Sequence, residues 1–93
     1  MYHVPFEQYD WPAEPVQIDV DDVRLAHNYA HNKRDVRKYA SLYKKGKQPL
    51  AVVLGERPDG SWCVLDGAHR IEAAQRAGMP TLLAYIGKEL PFG

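Results

Sequence analysis

The sequence predicts one domain of α+β (mixed α/β) class, a small mixed sheet with about three helices. Three observations predict it. Two apolar runs of five residues, 50–54 and 82–86, are bounded by Pro or Gly and read as strands. Val36, Tyr39, Ala40 and Tyr43 recur at i, i+3, i+4 and i+7, the stripe of a helix packed on one side. The chain has 93 residues, 45% of them apolar, which is enough for one core but leaves a small domain little stability to spare.

Residues 1–15 hold Pro5, Pro12 and Pro15, which argue against regular structure, and Tyr2, Phe6, Tyr9 and Trp11. That much aromatic area predicts an arm packed on the domain or on a partner. The domain proper is placed at 16–87 and a tail at 88–93. Val16, Gln17 and Ile18 read as a short strand. Asp19 is a candidate N-cap for a helix from about Val20 to Asn32, with Asp21 and Asp22 in its first turn. A second helix runs from Lys33 or Asp35 to Lys45 and stops at Gly46. The run 50–54 is apolar on both faces, as a strand buried between layers would be. Arg57-Pro58-Asp59-Gly60 has the chemistry of a turn, so residues 50–65 should form a hairpin. A third helix is expected over 69–77, rich in alanine and closed by Gly78 and Pro80, before the last strand at 82–86.

One cysteine, Cys63, excludes an internal disulfide framework and a cysteine-cluster metal site. The five-residue apolar runs fall far short of the ~20 needed to cross a bilayer. The N-terminus lacks the pattern of a signal peptide. These features predict a soluble, cytoplasmic protein with no membrane partner.

Twelve bases balance twelve acids, but the charge is segregated. Residues 1–22 carry Glu7, Asp10, Glu14, Asp19, Asp21 and Asp22 and no base. Residues 23–47 carry Arg24, Lys33, Arg34, Arg37, Lys38, Lys44, Lys45 and Lys47 against Asp35 alone. The middle segment therefore suits an anionic partner, with Arg37, Lys38 and Lys45 as candidate contacts to DNA; alternatively the acidic N-terminus folds back over it, or the face is simply solvated.

The most informative stretch is Val64-Leu65-Asp66-Gly67-Ala68-His69-Arg70-Ile71-Glu72, where a strand ends, a glycine turns the chain and a helix begins. A helix start presents backbone N–H groups and a positive dipole end, the makings of an anion site. Arg70 adds a forked cation and His69 a donor that can carry charge near neutral pH. The plainer reading makes Asp66 an N-cap, His69 structural and Arg70 an ion-pair partner.

The passage 49–86 resembles the ParB/sulfiredoxin superfamily. The resemblance rests on the apolar strand after Gln48-Pro49, the hairpin, the Asp66-Gly67-Ala68-His69-Arg70 signature, the Ala-rich helix to Gly78 and the closing strand; upstream elements from Val16 extend it to about 16–87. It implies a single compact ParB/sulfiredoxin-like domain that grips nucleotide phosphates, ATP in some members and CTP in others, with Mg²⁺, through Gly67, Ala68, His69 and Arg70. Asn32, Lys33 and Arg34 fall where members often present a polar or basic residue to the ligand; Lys33 and Arg34 would neutralise further phosphate oxygens or are simply solvated. An NTPase or phosphotransferase activity is implied as an option, with Asp66 or Asp22 holding the metal or orienting the nucleophile. Sulfiredoxins place their reactive cysteine where this chain has Ala68, so sulfinic acid reduction is not expected. The upstream catalytic Glu of the free-serine kinases has no counterpart in residues 16–45. The partition proteins carry a DNA-reading module after this domain, and residues 88–93 are too few for one.

Cys63 reads as a structural thiol. His27 and His31, at i and i+4, have metal-ligand spacing but no third ligand nearby. Trp62, Tyr85, Tyr29, Tyr39 and Tyr43 read as packing residues. The leading expectation is nucleoside triphosphate binding at 66–70. The alternatives are a DNA-binding protein or nuclease using 33–47, and a non-catalytic interaction module or inhibitor whose aromatic arm meets a protein partner.

Overall fold

The computed structural model describes residues 6–25, 32–47 and 49–91. Five strands form one sheet: β1 (Tyr9–Asp10), β2 (Val16–Asp19), β3 (Val52–Glu56), β4 (Trp62–Asp66) and β5 (Thr81–Glu89). Two helices, α1 (Lys33–Lys44) and α2 (Ala68–Arg76), complete the domain. The strand order is β1-β5-β3-β4, with β2 also on β5. β3 runs parallel to β5 and antiparallel to β4, while β1 and β2 lie end to end, both antiparallel to β5.

Local chemistry explains the boundaries. The Asn32 side chain caps α1, its Oδ1 accepting from the N–H groups of Arg34 and Asp35 at 3.0 and 3.2 Å. Each helix closes on a left-handed glycine: Gly46 (φ +77°) lets Lys47 N–H reach back to the Leu42 carbonyl, and Gly78 (φ +74°) lets Met79 N–H reach that of Ala74. The β3–β4 turn closes through Gly60 N–H to the Arg57 carbonyl at 2.8 Å. Asp59 Oδ1 accepts from the Ser61 N–H and hydroxyl, and these bonds hold its carboxyl below the ordinary value.

Alternation divides the sheet into two faces. Val52, Leu54, Leu82 and Ala84 point to the helices and pack with Val36, Tyr43, Ile71, Ala73 and Ala74. Burial of these apolar side chains supplies the main driving force for folding. The other face carries Gly55 and Gly87, partners across β3 and β5, and the rings of Tyr9 and Trp11 lie on them. The arm therefore docks on the domain's helix-free face, with Tyr9 and Trp11 ring centroids 5.6 Å apart.

Several expectations need correction. The helix expected from Val20 is only a 3₁₀ turn, Val20–Asp22, after which Val23 is extended (φ −103°, ψ 123°). Asp19 does cap it, accepting from Asp21 N–H at 2.9 Å. Tertiary bonds override the helical pattern: Val20 N–H donates to the Pro80 carbonyl, and Gln75 Nε2 reaches the carbonyls of Val20 and Val23. The continuation through His27, Asn28, Tyr29 and His31 lies outside the described residues. The described helices are thus two α-helices and the 3₁₀ turns Phe6–Gln8 and Val20–Asp22 rather than three helices. Leu50, placed in the buried strand, is 83% exposed, because β3 begins only at Val52. The prolines of the arm do not prevent a two-residue strand, and the last strand extends through Lys88 and Glu89, into the expected tail. Among the described residues, no helix is long and apolar enough to cross a membrane.

Candidate functional site

β4 delivers the chain to the turn through a bulge: Val53 pairs with Asp66 and Leu54 with Val64, leaving Leu65 as the extra residue. Gly67 then takes φ +101° and becomes the N-cap of α2. Asp66, expected as that cap, instead ends β4. A glycine is required here twice over, since a Cβ would strain the backbone and stand 2.7 Å from Val52 Cγ1.

The two helix starts differ. That of α1 is occupied by its Asn32 cap, whereas that of α2 has no side-chain cap. Gly67 itself brings no capping side chain to the N–H groups of that first turn, the kind of donors an anion accepts from. The two starts are also tied together: the Asn32 backbone N–H donates to His69 Nε2 at 3.1 Å. In that bond Nε2 is the acceptor, which puts the proton of a neutral His69 on Nδ1. The bond brings the backbone at the start of α1, where Lys33 and Arg34 are exposed, to the first turn of α2. Sequence reasoning grouped these residues with 67–70, and the fold brings the two segments together.

Arg70 is arranged differently from the expected forked ligand. Its Nη1 donates to the carbonyls of Leu50 and Ala51 at 2.8 and 3.1 Å, and its Nη2 lies 3.5 Å from Asp66 Oδ2. Its side chain is 11% exposed. The guanidinium thus ties the segment before β3 to α2 and places positive charge beneath the turn. Tyr43 also feels that charge: burial pushes its hydroxyl above the ordinary 10.0, with Arg70 pulling the other way. The carbonyl partners of Arg70 escaped sequence reasoning, because no local pattern marks a carbonyl 20 residues upstream. The plainer reading of Arg70 as an ion-pair partner names no acid, and the structure supplies Asp66.

Asp22 is not brought to this turn. It lies in the 3₁₀ turn held by Gln75, towards the C-terminal end of α2. There it lines a separate open cavity of about 380 Å³ with Arg24, Gly60, Ser61 and Trp62. Asp66 stands at the other end of β4 from Trp62, about 13 Å away at strand rise. Asp66 is 62% exposed and borders the turn directly. Arg37, Lys38 and Lys45 are exposed on or just beyond α1. Cys63 is half-buried on β4, its thiol 3.5 Å from the Gly55 carbonyl and 3.8 Å from Tyr9 Oη. No group of three or more His, Cys, Asp or Glu is placed to hold a metal ion among the described residues, and the His27–His31 pair lies outside them.

Two solved structures share this fold. A sulfiredoxin from Arabidopsis thaliana superposes with a TM-score of 0.69 over 80% of this chain and 84% of its own, at 22% identity. A C-terminally truncated chromosome-partitioning protein ParB from Caulobacter crescentus, in complex with CTP-γ-S, gives 0.68 over 83% of this chain and 46% of its own, at 16% identity. The chain has the ParB/sulfiredoxin-like fold. No family model matches it. The ParB/sulfiredoxin-like domain is also 31% identical over 78 residues to an uncharacterized protein of Methanocaldococcus jannaschii. That alignment covers 84% of this chain, which spans only 29% of the length of that curated relative. In this domain Ala68 opens α2, and Cys63 stands back on β4 rather than at the helix start.

Proposed function

We propose that this ParB/sulfiredoxin-like domain binds the phosphates of a nucleoside triphosphate, ATP or CTP, with Mg²⁺, at the glycine-led start of α2. The observation that carries the reading is the Asn32–His69 bond, which joins that helix start to the basic first turn of α1. Backbone groups of Gly67 and Ala68 would meet the phosphates, with His69, Lys33 and Arg34 around them. Arg70 contributes charge from below while its Nη1 holds the turn in place. Asp66 fits a role in holding Mg²⁺, since that ion is commonly held by one or two carboxylates together with substrate phosphates, and Asp66 is exposed beside the turn. The bound ion would neutralise phosphate charge; the chain's own part is to position the phosphates and keep them at the helix start. The ParB structure of the same fold is a complex with CTP-γ-S, which agrees with this reading.

Thermal unfolding with ATP, CTP and GTP, each with Mg²⁺, tests it. A ligand at 100 times its Kd should add about 2.7 kcal/mol of stability. The double substitution Lys33→Ala and Arg34→Ala should remove most of that gain and leave the unliganded midpoint nearly unchanged, because both side chains are exposed. Absence of any shift at millimolar nucleotide would overturn the proposal.

A further inference from the structure

The outward face of α1 carries a row of cations. With 100° per residue, Arg34, Lys38, Ser41 and Lys45 project opposite the buried Val36 and Tyr43, and Arg37 and Lys44 flank them. All six are exposed. From Arg34 to Lys45 the row spans about 16 Å at helical rise. Among the described residues no cation of α1 is held in an ion pair. The acidic N-terminal segment does not cover the row. The β1 arm lies on the opposite face of the sheet, over Gly55 and Gly87, and the turn with Asp21 and Asp22 is held at the C-terminal end of α2. The expected folding back of acid onto base does not occur in residues 7–22.

We propose that this face of α1 docks the phosphodiester backbone of a nucleic acid duplex, without reading its sequence. Charge complementarity argues for that occupant. The row is cationic and has no exposed apolar side chain; Leu42 at its border is half-buried. A protein partner would need an apolar or aromatic centre to hold it, and a membrane surface would need apolar side chains to insert. Nucleic-acid interfaces are instead polar and strongly positive. A stretch of duplex axis as long as the row, about 16 Å, carries about five phosphates per strand at 3.4 Å each. The row meets the proposed nucleotide site at Arg34, while Arg37, Lys38 and Lys45 lie away from the start of α2 that the site uses.

The test is fluorescence anisotropy of the full chain with labelled 20-base-pair duplexes of two unrelated sequences, from 25 to 200 mM salt. The binding constant should fall linearly on logarithmic axes, with a slope of about −0.9 per phosphate contacted, and the two sequences should agree within twofold. The combined Arg37→Ala, Lys38→Ala and Lys45→Ala variant should flatten the slope by about 2.7 and weaken binding at least tenfold at 100 mM salt. It should keep the wild-type circular dichroism and the wild-type response to nucleotide, which separates this proposal from the nucleotide site. Salt-independent binding, unchanged binding by the triple variant, or equal binding to phosphatidylserine vesicles or polyglutamate would overturn it.

Discussion

The ring of Tyr9 lies directly on Gly55: a Cβ on that glycine would stand 2.6 Å from Tyr9 Cε1 and 2.9 Å from its hydroxyl oxygen. Gly87, the register partner of Gly55, receives Trp11 in the same way, at 2.7 Å from Cζ3. Neither glycine has a positive φ, so their need for no side chain is steric and not conformational. The pair makes a flat seat across two strands, and two aromatic residues of a proline-interrupted arm fill it.

Gly55→Ala should therefore lift the arm before it disturbs the core. The expected loss is about 1–3 kcal/mol, the usual range for overpacking. In a Tyr9→Ala background the same substitution should cost much less, because the clashing ring is gone. Urea melts of the four proteins of this double-mutant cycle measure the coupling. Equal cost of Gly55→Ala in both backgrounds would rule out the seat.

Arg70 should matter to the unliganded protein. Its Nη1 serves two backbone carbonyls, a geometry that a lysine's single ammonium on a flexible stem does not reproduce. Arg70→Lys is expected to cost about 1–3 kcal/mol, the range for losing hydrogen bonds to a charged group. Asp66→Asn should cost under about 1 kcal/mol, since its side chain is exposed and the pair is 3.5 Å apart. Chemical denaturation without nucleotide compares them. An Arg70→Lys protein as stable as the wild type would show that the carbonyl bonds hold nothing.

The run 50–54 gives a sharper contrast. Leu50→Ser should leave stability within about 0.5 kcal/mol, as surface changes do. Leu54→Ala should cost about 2–5 kcal/mol, because Leu54 is fully buried between sheet and helices. Thermal midpoints of the two variants decide the matter, and comparable losses would place Leu50 in the core after all.

These positions show what sequence reasoning could reach. The hairpin, both α-helices and the strand–turn–helix at 66–70 were legible because each carries a local signature: Pro58-Asp59-Gly60, the stripe from Val36, and Gly67 ahead of an alanine-rich run. The joining of residues 33 and 34 to residues 67–70 followed only from resemblance, since a bond from Asn32 to His69 spans 37 positions. Leu50 was misplaced because hydrophobicity alone does not say where a strand starts. The turn at Val20 was misread because Gln75 and Pro80, far along the chain, hold it open. The residue type of Asp66 suits a cap, while the geometry gives that place to Gly67.

Alkaline pH should destabilise this domain through two tyrosines, Tyr43 and Tyr9. Burial among core side chains disfavours the Tyr43 phenolate and raises its pKa above 10.0; Arg70 opposes the rise and Tyr39 adds to it. Tyr9 is raised as well, by burial first and then by its hydrogen bond to Cys63 and the charges of Cys63 and Glu89, against Arg57. In both cases the folded state keeps a proton that the unfolded chain has released. Stability from these groups is therefore complete below pH 10 and is lost as pH rises through the folded values. Each group can contribute a slope of up to about 1.4 kcal/mol per pH unit. Tyr43→Phe should leave stability at pH 7 nearly unchanged and make the decline between pH 10 and 11 shallower, with Tyr9→Phe removing much of the remainder. Urea unfolding followed by circular dichroism at pH 7, 9, 10 and 11 measures this. A Tyr43→Phe protein that loses stability with pH as steeply as the wild type would assign the alkaline limb to other groups.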